Sequence, residues 1–204
     1  MNSFSPATDT AIAKKYASDS LEQKAHNKLA LQKELGWAEE AKRPMICLPT
    51  GMSEKLGGNL LKEMLPGLLE LPVEIVILGK GSASFGTYLT DIAKEHAHRM
   101  AIVANDEKHI RKMLAGADMA LFLTDASAMP ELIAALRYAA VPVAPTCKVL
   151  STYDPNQESG NSFLYAKPTV WHCFAAVVRA LETYRFPFDW KTIQRQCMER
   201  VEEK

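Results

Sequence analysis

The chain lacks an excess of either charge: 24 Lys and Arg stand against 24 Asp and Glu in 204 residues. A nucleic-acid binder normally carries a basic face, so no nucleic-acid partner is expected. No apolar run approaches the length of a membrane span, and no membrane partner is expected either. The first residues, MNSFSPATDTAIAKKY, lack the positive start and apolar core of a signal peptide. The four cysteines, Cys47, Cys147, Cys173 and Cys197, form no CxxC pair. Cys47 lies in an apolar strand-like run and Cys173 in a helical one. They read as buried free thiols of a reducing, cytoplasmic compartment. The five histidines make no metal set: His96 and His98, two apart on a helix, point to different faces. Neither a metal nor a cofactor is expected. What remains is ordinary globular composition, 48% apolar and 24% charged.

Hydrophobic pattern orders the rest. Residues 1–19 form a lead-in segment rich in turn residues. Asp19 or Ser20 caps a helix through LEQKAHNKLALQKEL, and Gly36 ends it. Strands follow at 45–48, 73–78, 100–103, 119–123 and 141–143, with a short one at 162–165. Helices are predicted over 59–69 (with Pro66 kinking it or marking its last turn), 85–98, 107–114 with Gly116 as its stop, 130–139 and 169–184. A final helix is predicted to be capped by Asp189. VEIVIL, at 73–78, is short, β-branched and apolar on both faces, as a strand of a covered parallel sheet requires. Strands alternating with helices at this spacing imply repeated βαβ units. The expected fold is α/β: one Rossmann-like domain over 20–204, with a parallel sheet of about five to six strands and helices on both faces. Ligands of such sheets bind beyond the carboxyl ends of the strands, so the loops after Leu48, Leu78, Val103, Leu123 and Val143 are the places to search.

Eight segments in order carry a family resemblance: SPATDTAIAKKY, LEQKAHNKLALQKELGW, LLKEMLPGLLE, VEIVILGKG, NDEKHIRKMLAGADM, ALRYAAVPV, SGNSFLY and RALETYRFPFDWKTIQRQCM. From about Ser5 to Met198 the chain resembles the C-terminal, nucleotide-sugar-binding half of bacterial and plant starch/glycogen synthases. The resemblance implies one half of a two-domain GT-B glycosyltransferase. In that family this half binds ADP-glucose, and glucose passes with retained configuration to an α-1,4-glucan. The partners implied are therefore ADP-glucose, an α-glucan and an N-terminal synthase half. The chain is expected to start and stop near domain boundaries, as an excised piece or a naturally short relative.

The resemblance also names positions. Sugar transfer from a nucleoside diphosphate needs positive charge, amides or a helix N-terminus at the leaving diphosphate. In PTGMSEKLGGN there is no arginine where the family has one. Lys55 stands in for its lysine or is a solvated turn residue, and Gly57 fits a phosphate-cradling helix start. Gly79 and Gly81 match the family's two glycines after the second strand; they suit close approach to a ligand or an ordinary turn. Asp106 matches the first of an acidic pair but reads better as a helix-start residue. After Val143 the family's two glycines are missing, and Lys148 falls near them. Counting back from Arg137-Tyr138, Ala126 occupies the position of the carboxylate that holds the donor sugar. Asp125 and Glu131 are the nearby carboxylates that would have to replace it. No residue is assigned a catalytic role, and the chain by itself is expected to transfer no glucose. The alternative is a non-catalytic synthase-like domain acting as a binding or regulatory partner.

Overall fold

A computed structural model describes residues 5–202 of the chain. The apolar runs become the strands of a single sheet: β1 (Met45–Leu48), β2 (Glu74–Leu78), β3 (Met100–Val103), β4 (Met119–Leu121), β5 (Val141–Pro145) and β6 (Phe163–Tyr165). β1 and β2 bury every residue, the pattern of strands covered on both faces. The strand order is β3-β2-β1-β4-β5-β6, and every pairing is parallel. The chain winds outward from β1 to β3, then returns to place β4 beside β1. That reversal sets a switch point between β1 and β4, where such sheets open their ligand crevice.

The helices are α1 (Lys24–Glu34), α2 (Gly58–Glu70), α3 (Ala83–Glu95), α4 (Glu107–Gly116), α5 (Pro130–Arg137), α6 (Val170–Tyr184) and α7 (Pro187–Glu202). Among the described residues no helix is long and apolar enough to cross a membrane. Pro66 lies inside α2, which runs on to Glu70 because Leu61, Met64, Leu65, Leu68 and Leu69 hold one face in the core. α4 ends at Gly116, as expected. A β-carbon there would lie 2.9 Å from Leu31 Cδ2, so this glycine lets α4 approach α1. Pro187 begins α7, where a missing N–H costs nothing. Asp189, expected as its cap, sits in the first turn instead and accepts the Tyr153 hydroxyl at 2.5 Å. Cys47, Cys173 and Cys197 are buried and free, and burial pushes the Cys47 thiol up to about 12.

The amino end of the sheet is closed by polar groups from α1. Lys24 Nζ donates to the carbonyls of Leu114, Ala115 and Tyr138 at 2.8–2.9 Å, satisfying the open carbonyl ends of α4 and α5. Tyr16, from the lead-in segment, donates its hydroxyl to the same Tyr138 carbonyl at 2.7 Å. Lys28 pairs with Asp118 at 2.5 Å, and Asp118 in turn accepts the amide of Met45 at 2.8 Å. One ion pair thus fixes α1 against the starts of β1 and β4.

Glu74 opens β2 fully buried, with Gln32 Nε2 donating to both its carboxyl oxygens at 3.0 and 2.8 Å. Burial raises its pKa from 4.5 to about 6, and the Gln32 amide opposes that rise. A carboxyl whose pKa is higher folded than unfolded stabilises the fold most when protonated. Its contribution is complete below pH 4.5 and lost as pH rises through 6. The difference is about 2 kcal/mol. Denaturant unfolding at pH 4.5 and 7 is expected to show this dependence in the native chain and to lose it in Glu74→Gln.

Candidate functional site

The carboxyl end of the sheet is formed by the loops that follow β1, β2 and β4. After β1 the chain turns through Gly51 at φ +69°, runs through Met52 and a short 3-10 turn (Glu54–Leu56), and enters α2 through Gly57 at φ +84°. After β2 comes Gly79-Lys80-Gly81, with Gly81 at φ +140°. These two loops are joined by backbone. Met52 N–H donates to the Lys80 carbonyl at 2.7 Å, and Ser82 N–H to the Met52 carbonyl at 3.2 Å. This continues the β1–β2 pairing past the strands.

The glycines serve this closure. A β-carbon on Gly81 would lie 1.6 Å from the Met52 carbonyl oxygen, and one on Gly51 2.1 Å from the Lys80 oxygen. One on Gly79 would lie 2.9 Å from the Val103 oxygen. Gly57 sits against Leu123, its missing β-carbon 2.5 Å from Leu123 Cβ, so the β1 loop also presses on the β4 loop. The close approach that glycine permits is therefore made by the chain's own backbone and side chains at each of these positions.

The β4 loop carries the carboxylate candidates. Phe122 N–H bonds the Val143 carbonyl at 2.9 Å, and Tyr165 donates its hydroxyl to the Phe122 carbonyl at 2.8 Å. These bonds hold the loop's start in line with the sheet. Ala126 is 1% exposed, its methyl turned into the core, and its carbonyl accepts the Met129 amide. Asp125 is exposed and occupied locally: it accepts the Ser127 hydroxyl and, at 2.9 Å, the Ser127 amide. Those bonds, the hydroxyl's first, hold its carboxyl below the usual range. Glu131 lies in the first turn of α5 and pairs with Lys80 Nζ at 3.4 Å. That ion pair links the β2 loop to the β4 side, across the β1 position. Its partners are 49% and 19% exposed.

The other candidates lie apart. Lys55 is exposed in the 3-10 turn, and Lys148 is exposed in the turn after β5. Asp106 caps α4 beyond β3, the edge strand: it accepts the His109 amide at 2.9 Å and bonds that ring at 2.6 Å. The amide and then the ring hold its carboxyl below the ordinary range. Lys80 was not singled out by sequence reasoning. Its only signal was its place between two glycines at a strand end, and its partner Glu131 lies 51 residues on. Among the described residues no group of three His, Cys, Asp or Glu side chains is placed to hold a metal ion.

A parallel sheet in this order, with its switch point between β1 and β4, defines a doubly wound, Rossmann-like domain. The C-terminal domain of a glycosyl transferase group 1 family protein from Francisella tularensis superposes with a TM-score of 0.63 at 11% identity. The match covers 87% of this chain and 92% of that domain. The catalytic domain of starch synthase IV from Arabidopsis thaliana, solved with ADP and acarbose, superposes with a TM-score of 0.84 at 21% identity. It covers 95% of this chain but 42% of that one. The glycogen synthase of Syntrophotalea carbinolica is 32% identical over 203 residues, 96% of this chain and 42% of its own length. The chain is thus a relative of the starch and glycogen synthases, corresponds to their C-terminal GT-B domain, and spans about two-fifths of their length. No protein-family model matches it.

Proposed function

We propose that this chain is a synthase-type donor domain that transfers no glucose by itself and serves as a binding or regulatory partner in the cytoplasm. One observation carries the reading: where the family resemblance places the carboxylate that grips the donor sugar, this chain has the buried methyl of Ala126. A methyl group accepts no sugar hydroxyl. The nearby carboxylates are engaged elsewhere, Asp125 with Ser127 and Glu131 with Lys80. The β1 loop supplies Lys55 but no arginine for a diphosphate, and the turn after β5 lacks the family's two glycines, with Lys148 near their place. ADP-glucose, an α-glucan and an N-terminal synthase half are the ligands and partner this reading proposes to examine.

The lost sugar grip has a direct readout. A ligand that binds only the folded chain raises its melting temperature in proportion to RT ln(1 + [L]/Kd). ADP-glucose and UDP-glucose at millimolar concentration are expected to stabilise the chain no more than ADP and UDP do. A further rise due to the glucosyl group would overturn the reading. Because the chain spans 42% of its relative, a second reading is a half-enzyme completed by a separate chain. Glucosyl transfer that appears only when an N-terminal synthase half is added would favour that reading.

A further inference from the structure

We infer that the amino end of the sheet, opposite the donor end, carries a pocket for an amphipathic anion: an apolar body bearing one anionic head. A cavity of about 770 Å³ lies there, bounded by α1, the segments that lead into β1, β2 and β4, the end of α6 and the start of α7. That volume is in the usual range for small-molecule sites. Leu21, Leu71, Val178, Leu181 and Trp190 give it apolar walls. Trp190 is buried, one side stacked on Phe163 and its ring edge-on to Tyr184. Its Nε1–H is buried and finds no acceptor among the described residues. Phe186 and Phe188, 60% and 69% exposed, flank the lining residue Pro187 in sequence.

Charge selects the head group. Four lysines and one arginine line the cavity against three carboxylates; burial lowers the Lys24 pKa to about 7, so at neutral pH the excess is between one and two positive charges. The deep ones are committed, Lys24 to three carbonyls and Lys28 to Asp118. The rim cations are not held in this way. Lys191 is 3.7 Å from Glu22, Arg185 is 3.3 Å from Glu182, and all four side chains are half or more exposed. Such pairs are weak. Lys42 makes no ion pair or hydrogen bond among the described residues. An anion at the rim beside Lys42 and Lys191, with its apolar body against Val178 and Leu181, satisfies both features of the pocket.

The probe is anilinonaphthalene sulfonate, titrated into the full chain and followed by dye fluorescence. Its uncharged counterpart, phenylnaphthylamine, has the same rings without the sulfonate. Saturable one-to-one binding of the sulfonate is expected, about tenfold tighter than the neutral compound. The exposed double substitution Lys42→Glu with Lys191→Glu leaves the core intact and is expected to weaken the sulfonate about tenfold without affecting the neutral probe. Energy transfer from tryptophan to bound dye is expected to fall in Trp190→Phe. Absence of saturable binding, equal affinity for both compounds, or unchanged sulfonate affinity in the double variant would overturn the assignment.

Discussion

Replacing Lys28 with methionine is expected to destabilise the chain by about 3–5 kcal/mol, the usual cost of removing one partner from a buried ion pair. Lys28 and Asp118 are both almost fully buried, and their contact is 2.5 Å. Methionine fills the space of the lysine stem but leaves the Asp118 carboxylate in the interior without its contacting cation. The carbonyls of Ala41 and Arg43, which accept from Lys28 at 3.0 Å, and the Tyr184 hydroxyl at 2.8 Å, also lose a donor. Chemical denaturation at neutral pH measures the loss. The double variant Lys28→Met with Asp118→Asn is expected to lose less than the two single changes summed. The asparagine side chain carries no unpaired charge and still offers an oxygen to the Met45 amide. Additive losses would show that the pair does not couple α1 to the sheet.

Gly81→Ala is expected to cost about 2–4 kcal/mol, through a backbone conformation that L side chains rarely adopt and a clash that only loop separation relieves. Gly81 has φ +140°, and an added β-carbon would lie 1.6 Å from the Met52 carbonyl oxygen. The control is Gly86→Ala. Gly86 lies within α3, and its β-carbon would meet nothing within 4 Å. That substitution is expected to stabilise by about 0.5–1 kcal/mol, since alanine is the better helix former. If Gly81→Ala leaves stability unchanged, the contact between the β1 and β2 loops is not part of the folded structure, and the glycine pair regains its reading as a ligand approach.

How much of this was legible in the sequence depends on the range of the signal. The consecutive apolar residues Ile75 to Leu78 in VEIVIL announced a strand covered on both faces, and the alternation with helices announced a parallel sheet. Both are local patterns, and both are present in the structure. Asp106, read as a helix-start residue, caps α4 because that signal is also local. The misreading at Asp189 arose where a tertiary contact, the Tyr153 hydroxyl, took over a local role. The site was less legible. Gly79 and Gly81 could be seen as places of close approach, but not what approaches them. Lys80 and Glu131 meet only because the winding reverses after β3. The cavity at the amino end is assembled from separate parts of the chain, from Leu21 to Gln194, and leaves no sequence pattern at all.

A donor domain with Ala126 in the sugar-gripping position is expected to transfer no glucose alone. Incubating the purified chain with radiolabelled ADP-glucose and glycogen, and counting label in the precipitated glucan, tests it most directly. Incorporation no greater than in a protein-free blank is expected at any chain concentration. Label that rises in proportion to the chain added would contradict it.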